Sequence, residues 1–434
     1  MSKSLQSSAS GFEAPSPYEL DPPRAEAPAL SDRARPLPRI SIQAFCETPD
    51  VAEAVHAASE DRRLSKTHVT IQMGGTAAAV AHYQESPTPN LIILETHAPH
   101  ASLVAELEEL AHSCDAGTKV VIIGAANDVV LYRDLMKRGI SEYLVAPVTA
   151  FDLMECLSNL YNNPASDPVG QVFAFIGAKG GVGSSTICHN VAWTLSDALS
   201  ADITIADMDL AFGTTGLDFN QDPVQGIADA LQNPDRLDEV LLDRLLTTCS
   251  KHLSIFAAPV VLDRDYEMTP EGCEAVIDVV RQNVPFVAVD LPHTWAPWTK
   301  RLLLQADEIV ITAMPDLANL RNAKNIVDLV RAARKNDTAP HLVLNMANMQ
   351  KRPEITQKEF EGALGLETLA VIDFDCENFG QAANNGQMIE EFNAKAKSTQ
   401  AFRDIAMALA HRKEIKVEKR SPLAPILDKL KRMR

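Results

Sequence analysis

One lysine, three glycines and three hydroxyl residues fall within the run Lys179, Gly180, Gly181, Val182, Gly183, Ser184, Ser185 and Thr186. Such a run suits the gripping of a polyphosphate. Consecutive main-chain N–H groups can point into one loop, and glycine lets the backbone close round an anion without a Cβ in the way. The usual phosphate loop ends in Gly-Lys followed by Ser or Thr. Here Ser184 takes the lysine position. Ser185 still supplies a hydroxyl where a Mg²⁺ ligand belongs, and another cation, Lys179, precedes the glycines. One lost charge-assisted contact is worth roughly 1.5–3 kcal/mol, about ten- to a hundredfold in affinity. The amides and a metal still suffice to hold a nucleotide. Turnover suffers more, because charge developing in phosphoryl transfer needs cations. The expectation is ATP and Mg²⁺ binding with at most slow hydrolysis.

Carboxylates close two apolar runs. ITIADMD, 203–209, ends in Asp207 and Asp209; FVAVD, 286–290, ends in Asp290. A buried parallel strand presents such residues at the carboxyl edge of its sheet, where ligands bind. Asp290 suits a Mg²⁺ held through water, given that ion's reluctance to lose its hydration shell. His293 reads as a satisfied loop histidine rather than a catalyst, and Trp295 and Trp298 as packing or interface residues.

The elements that must position these residues follow from periodicity. VFAFI, 172–176, predicts a buried strand. Ile187, Val191, Leu195 and Leu199 recur every fourth residue, one apolar stripe of a helix. The phosphate loop thus lies between a strand and a helix N-terminus, whose dipole favours anions. Residues 213–218 read as a mobile switch loop and 226–250 as helices with a polar face. Further strands are expected at 253–257, 308–314 and 341–345, a helix at 266–283, and a last loop from 371 to 387. The span 172–410 therefore predicts a parallel sheet of seven or so strands with helices on both faces.

Residues 39–162 alternate five short apolar runs (40–45, 68–72, 91–94, 120–123 and 143–145) with helical patterns such as 103–112 and 129–138. That implies a second doubly wound parallel sheet, of flavodoxin-like type. Residues 1–38 hold seven prolines among serines, alanines and charges, and read as a disordered tail. Residues 163–171 are a linker. In 411–434, Leu423, Ile426, Leu427, Leu430 and Met433 share a helical face, while Lys429, Lys431, Arg432 and Arg434 lie elsewhere. This basic amphipathic tail suits a membrane surface through 421–434, a partner, or the chain's own surface.

Composition narrows the function classes. No apolar run among the 434 residues approaches the length of a membrane span. The seven cysteines are scattered without a CxxC pair, as in a reducing cytoplasm with no metal cluster. A net charge of −18 disfavours broad binding to nucleic acid.

The loop resembles the deviant phosphate loop of the MinD/ParA ATPases, K-G-G-x-G-K-[ST], from which Ser184 departs. In that MinD/ParA family the early lysine, matched by Lys179, reaches across a homodimer to the partner's nucleotide. The resemblance implies that Asp207 lies near the metal, that Asp209 positions the attacking water, and that Asn345 reads the adenine edge. The spacing of 39–162 resembles a response-regulator receiver. Its chemistry is gone: Glu95 replaces the phosphoacceptor aspartate, Ala146 the lysine and Gly124 the small hydroxyl residue, and Gln43, Ala44 and Phe45 stand in place of an acidic pair. This implies a pseudo-receiver that docks partners, with an unrelated flavodoxin-like module, or permanent mimicry of a phosphoaspartate by Glu95, as the alternatives. The pairing, with AKGGVGSST and the late FGQAANNGQ, resembles the CpaE/TadZ family of Flp (tad) pilus assembly proteins. It implies a cytoplasmic localisation factor, at a cell pole and peripherally on the inner membrane, contacting the pilus secretion motor ATPase and membrane platform. The other readings are a DNA- or membrane-binding partitioning ATPase and a nucleotide-free scaffold. Ser184 and the acidic balance disfavour DNA.

Overall fold

The computed structural model describes residues 36–38, 40–84, 86–115, 117–161, 170–259, 262 and 266–411. The tail expectations for 1–35 and 412–434, and most of the linker, lie outside these residues.

Two sheets carry the chain. The first holds β1 (Ser41–Cys46), β2 (His68–Met73), β3 (Leu91–Thr96), β4 (Lys119–Gly124) and β5 (Glu142–Val145), ordered β2-β1-β3-β4-β5 and parallel throughout. This is the expected flavodoxin-like order. The second holds β6 (Gln171–Gly177), β7 (Ile203–Asp207), β8 (Thr247–Ser250), β9 (Leu253–Phe256), β10 (Phe286–Leu291), β11 (Glu308–Ala313), β12 (His341–Ala347) and β13 (Thr368–Asp373). Its order is β13-β12-β11-β6-β10-β7-β9-β8.

β6 lies in the middle of that sheet because both its faces are apolar. Val172, Ala174 and Ile176 join the core on one side, Phe173 and Phe175 the core on the other. Such a strand needs helices over both faces, which parallel crossovers supply. The helix Ser184–Leu199 buries Ile187, Val191 and Leu195 in the second of these cores.

The sequence expectation errs in three places. Residues 226–250 are not all helical: after helices Ile227–Gln232 and Glu239–Leu245, β8 forms a hairpin with β9 and is antiparallel to it. TTCS is short and half exposed, so it carries no apolar signal. The last loop contains β13 and the helix Cys376–Asn385, whose N-cap Asp375 accepts from Asn378 N. β13 is an edge strand with Ile372 as its one fully buried residue, which blurs its alternation. The switch-loop segment closes with a short helix, Thr215–Asp218.

The two sheets meet at a buried ionic seam. The turn Arg62–Leu64, capped by Asp61, turns two arginines toward the second sheet. Arg62 Nε donates to Asp337 (2.7 Å), and its Nη1 to Asp307 (3.3 Å) and the Gln305 carbonyl (3.1 Å). Arg63 pairs with Asp61 and Asp337, and Arg334 Nε also donates to Asp337 (2.7 Å). Lys66 bridges to Asp278 and Glu274. The Asp337 side chain is 2% exposed. Burial opposes its ionisation, but Arg62, Arg334 and Arg63 outweigh burial and hold its carboxyl well below the usual range.

Asp337→Asn leaves three arginines without their shared carboxylate. Breaking a buried pair this way should cost about 3–5 kcal/mol in urea denaturation at pH 7. A carboxyl lowered in the folded state stabilises above its unfolded value, about 3.9, and loses that contribution as pH falls below it. The gap between wild type and variant should therefore narrow at pH 3; a constant gap would contradict the charge argument.

Candidate nucleotide site

β6 ends in the glycine loop, and three side chains hold that loop by its carbonyls. His293 Nδ1–H donates to the Gly177 carbonyl (3.1 Å), Asn322 Nδ2–H to Ala178 (2.9 Å) and Asn345 Nδ2–H to Val182 (2.8 Å). With those carbonyls engaged, the N–H groups are left for a ligand. Gly181 and Gly183 have φ of +77° and +83°, the left-handed region that favours glycine. A Cβ on Gly183 would also lie 2.5 Å from Asn345 Nδ2. The helix that follows has no side-chain N-cap, so its first N–H groups remain available to an anion.

Two buried polar atoms have no protein partner here: Ser184 Oγ and Asp290 Oδ1. Buried polar atoms are normally satisfied, so both mark a place for a ligand. Ser185 lies near enough to the Asp290 carboxylate to favour its charged form, which places a hydroxyl and a carboxylate, the ligand types that suit Mg²⁺, on the same side of the loop. No group of three or more His, Cys, Asp or Glu among the described residues could hold a metal by itself.

Asp207 and Asp209 lie at the same edge but are engaged differently. Asp207 Oδ1 accepts from Asp209 N (3.1 Å), and its Oδ2 from Thr215 N (3.2 Å) and Thr215 Oγ1 (2.6 Å). Both oxygens serve protein donors, so Ser185 and Asp290 are the better-placed pair for an ion. Asp209 is half-buried and accepts from Phe212 N (3.0 Å). Asn345 braces the loop through the amide expected to read adenine. Lys179 is exposed. Its charge contributes to lowering the Asp316 carboxyl, where burial opposes ionisation and Asn319 N–H groups favour it. His293 is a satisfied loop histidine, Trp298 is core packing, and Trp295 is exposed.

Sequence reasoning missed His189. It is wholly buried, with Nδ1 2.7 Å from Asp218 Oδ2 and Nε2 3.1 Å from Thr215 Oγ1 and 3.7 Å from Asp290 Oδ2. With Asp207 ionised, Thr215 directs its single O–H to Asp207, so the contact with His189 takes an N–H from the ring. Nδ1 must likewise donate to the Asp218 carboxylate. In that state both ring nitrogens donate and the imidazole is a cation; burial raises the Asp207 carboxyl, against the Thr215 hydrogen bond and the His189 charge. Burial works against that charge, but the Asp218 hydrogen bond and the charges of Asp290, Asp218 and Asp207 raise its pKa overall. Burial pushes Asp290 up to about 7, with His189 opposing and Asp207 adding to the rise. Asn322 was missed as well. Neither residue lies in a motif, and His189 falls two positions off the Ile187–Val191–Leu195 stripe, so no sequence signal singled out either.

In the first sheet, Glu95 is 2% exposed and its carboxylate is filled by its own chain. Oε2 accepts from Glu47 N (2.7 Å) and Thr48 N (2.9 Å), Oε1 from Thr48 Oγ1 (2.6 Å). β1 runs on to Cys46, so Gln43, Ala44 and Phe45 lie within the strand and one acidic residue, Glu47, follows it. Glu47 in turn pairs with His97 Nδ1 at 2.7 Å.

No family model matches the chain. Among curated proteins it is similar to the septum site-determining protein MinD of Bacillus subtilis strain 168, 23% identical over 252 residues, which is 55% of this chain and 88% of that protein. Among solved structures it is similar to a ParA family ATPase from Chlorobium tepidum TLS, 26% identical over 55% of this chain and 98% of that one, with a TM-score of 0.51. It is also similar to the pilus assembly protein CpaE from Caulobacter crescentus CB15, 43% identical over 30% of this chain and 98% of that one, with a TM-score of 0.29.

Gly183→Ala combines a strained φ with a clash and should destabilise by about 1–3 kcal/mol. Gly180→Ala meets nothing nearer than His293 at 3.9 Å, and should stay within about 0.5 kcal/mol of wild type. Urea unfolding of both variants checks this; equal midpoints would refute the loop geometry.

Proposed function

From a CpaE-like chain that carries a MinD/ParA-type P-loop domain, we propose an ATP-binding, dimerising switch that helps localise assembly of an Flp-type pilus machine. Hydrolysis is weak or absent. The observation that carries the reading is a loop whose carbonyls are pinned from behind, with the buried Ser184 Oγ and Asp290 Oδ1 left without partners. Main-chain N–H groups of Gly180, Gly181, Val182, Gly183, Ser184, Ser185 and Thr186 would hold the phosphates. Ser185 and Asp290 would hold Mg²⁺, which when bound neutralises phosphate charge. Asp209 is the candidate for orienting water, and Asn345 for contacting adenine while it braces the loop.

Two chains would sandwich nucleotide, with each exposed Lys179 reaching the other chain's phosphates. Phe212, Leu217, Trp295 and Leu317, more than half exposed and placed in segments that follow the carboxyl ends of β7, β10 and β11, offer apolar area to that contact. The pilus assignment rests on the loop AKGGVGSST with the late FGQAANNGQ, and on sequence identity to proteins named for pilus assembly. It implies the secretion motor ATPase and inner-membrane platform as partners and a cytoplasmic, polar address. The first sheet would act as an unphosphorylated docking unit, because the protein's own donors already fill Glu95. No helix among the described residues is long and apolar enough to cross a membrane.

Calorimetric titration with ATP–Mg²⁺ tests the switch: saturable heat is expected, and none up to millimolar ligand would leave only a scaffold. Ser184→Lys should tighten binding about ten- to a hundredfold by restoring the charged contact. Lys179→Ala should weaken ATP-dependent dimers in sedimentation, and an unchanged dimer would exclude the lysine's reach between chains.

A further inference from the structure

The segment 212–218 hangs from a buried polar network whose centre is His189. At its first end, Phe212 N donates to Asp209 Oδ1 (3.0 Å) and Gly213 N to the Asp209 carbonyl (2.7 Å). In its middle, Thr215 is fixed to Asp207 by N–H and O–H. At its last residue, Asp218 takes the Nδ1–H of His189. The same ring faces Thr215 and Asp290 through Nε2. One rigid imidazole on the helix of the phosphate loop therefore touches two of the segment's three anchors and the carboxylate proposed to face Mg²⁺. Outside this network the segment shows Phe212 and Leu217 to solvent, 75% and 74% exposed.

We infer that His189 is a positioning residue that makes the apolar face of 212–218 follow the Asp290 carboxylate, so that nucleotide occupancy is read out as a surface. A planar ring held by contacts through both of its nitrogens cannot move relative to Asp290 without dragging Thr215 and Asp218. Coupling between sites needs such a shared element with contacts to both. A histidine that merely filled core volume would not need three polar partners on two other elements. The inference rests on the ATP–Mg²⁺ reading above.

Hydrogen exchange of 212–218 in the full chain tests it, with and without ATP–Mg²⁺ at an occupancy fixed by calorimetry. Wild type should exchange several-fold more slowly in this segment when loaded. Three variants follow. His189→Gln keeps an N–H near the Nε2 position but loses the Asp218 contact, and should retain only part of the slowing. His189→Asn keeps one near Nδ1 only and should lose it. Asp218→Asn, at a partly exposed side chain, guards against a histidine variant that fails to fold, and should blunt the slowing. Loaded wild type without slowing, or full slowing in both His189→Asn and Asp218→Asn, overturns the inference while ATP binding stands. Wild type without calorimetric binding overturns the ATP reading and the inference together.

Discussion

A loop that grips an anion through its N–H groups must have its carbonyls turned elsewhere. Here His293, Asn322 and Asn345 reach the loop from three separate elements and take the carbonyls of Gly177, Ala178 and Val182. The rest of the site depends on this. The left-handed glycines make the turn possible, but donors behind the loop keep it in one conformation before any ligand arrives. Such preorganisation reduces the ordering cost of binding.

Charge at the site is arranged around a lysine that is absent. Asp207, Asp218 and Asp290 converge on one wholly buried imidazole. Isolated carboxylates at that depth would be heavily penalised. The same carboxylates raise the His189 pKa against its burial, and a protonated ring offsets that penalty and keeps the local balance from becoming wholly negative. It stands behind the carboxylates, and differs in this from a cation that touches phosphate. A site so arranged would be better provided for holding an ion and nucleotide than for stabilising charge during transfer, which is the basis for proposing weak turnover.

The two edges of the second sheet have separate tasks. Its carboxyl edge carries the phosphate loop. Its amino edge carries the ionic seam, where Asp307 accepts from Arg62, Arg281 and Val172 N, the second residue of β6. Buried ion pairs add little net stability over apolar contacts. Their directional hydrogen bonds do set one orientation between the two sheets. The seam therefore fixes where the first sheet stands relative to the strand that leads into the loop.

By itself, the amino-acid order determined the strand–loop–helix unit at 172–199, the carboxylate-terminated strand ending near Asp290, and two parallel α/β sheets. Those signals are local: apolar spacing of two or four residues, and glycines in a row. Weakly apolar edge strands escaped it, since β8 and β13 owe their existence to a neighbour already in place. So did His189, Asn322, and the Arg62 and Arg63 pair. Asp218 lies 29 positions from His189, Ala178 lies 144 from Asn322, and Asp337 lies 275 from Arg62. Which polar groups meet across such separations follows from strand order and from the need to satisfy every buried donor and acceptor. Tertiary structure alone decides that, because a buried polar side chain carries no periodicity that names its partner.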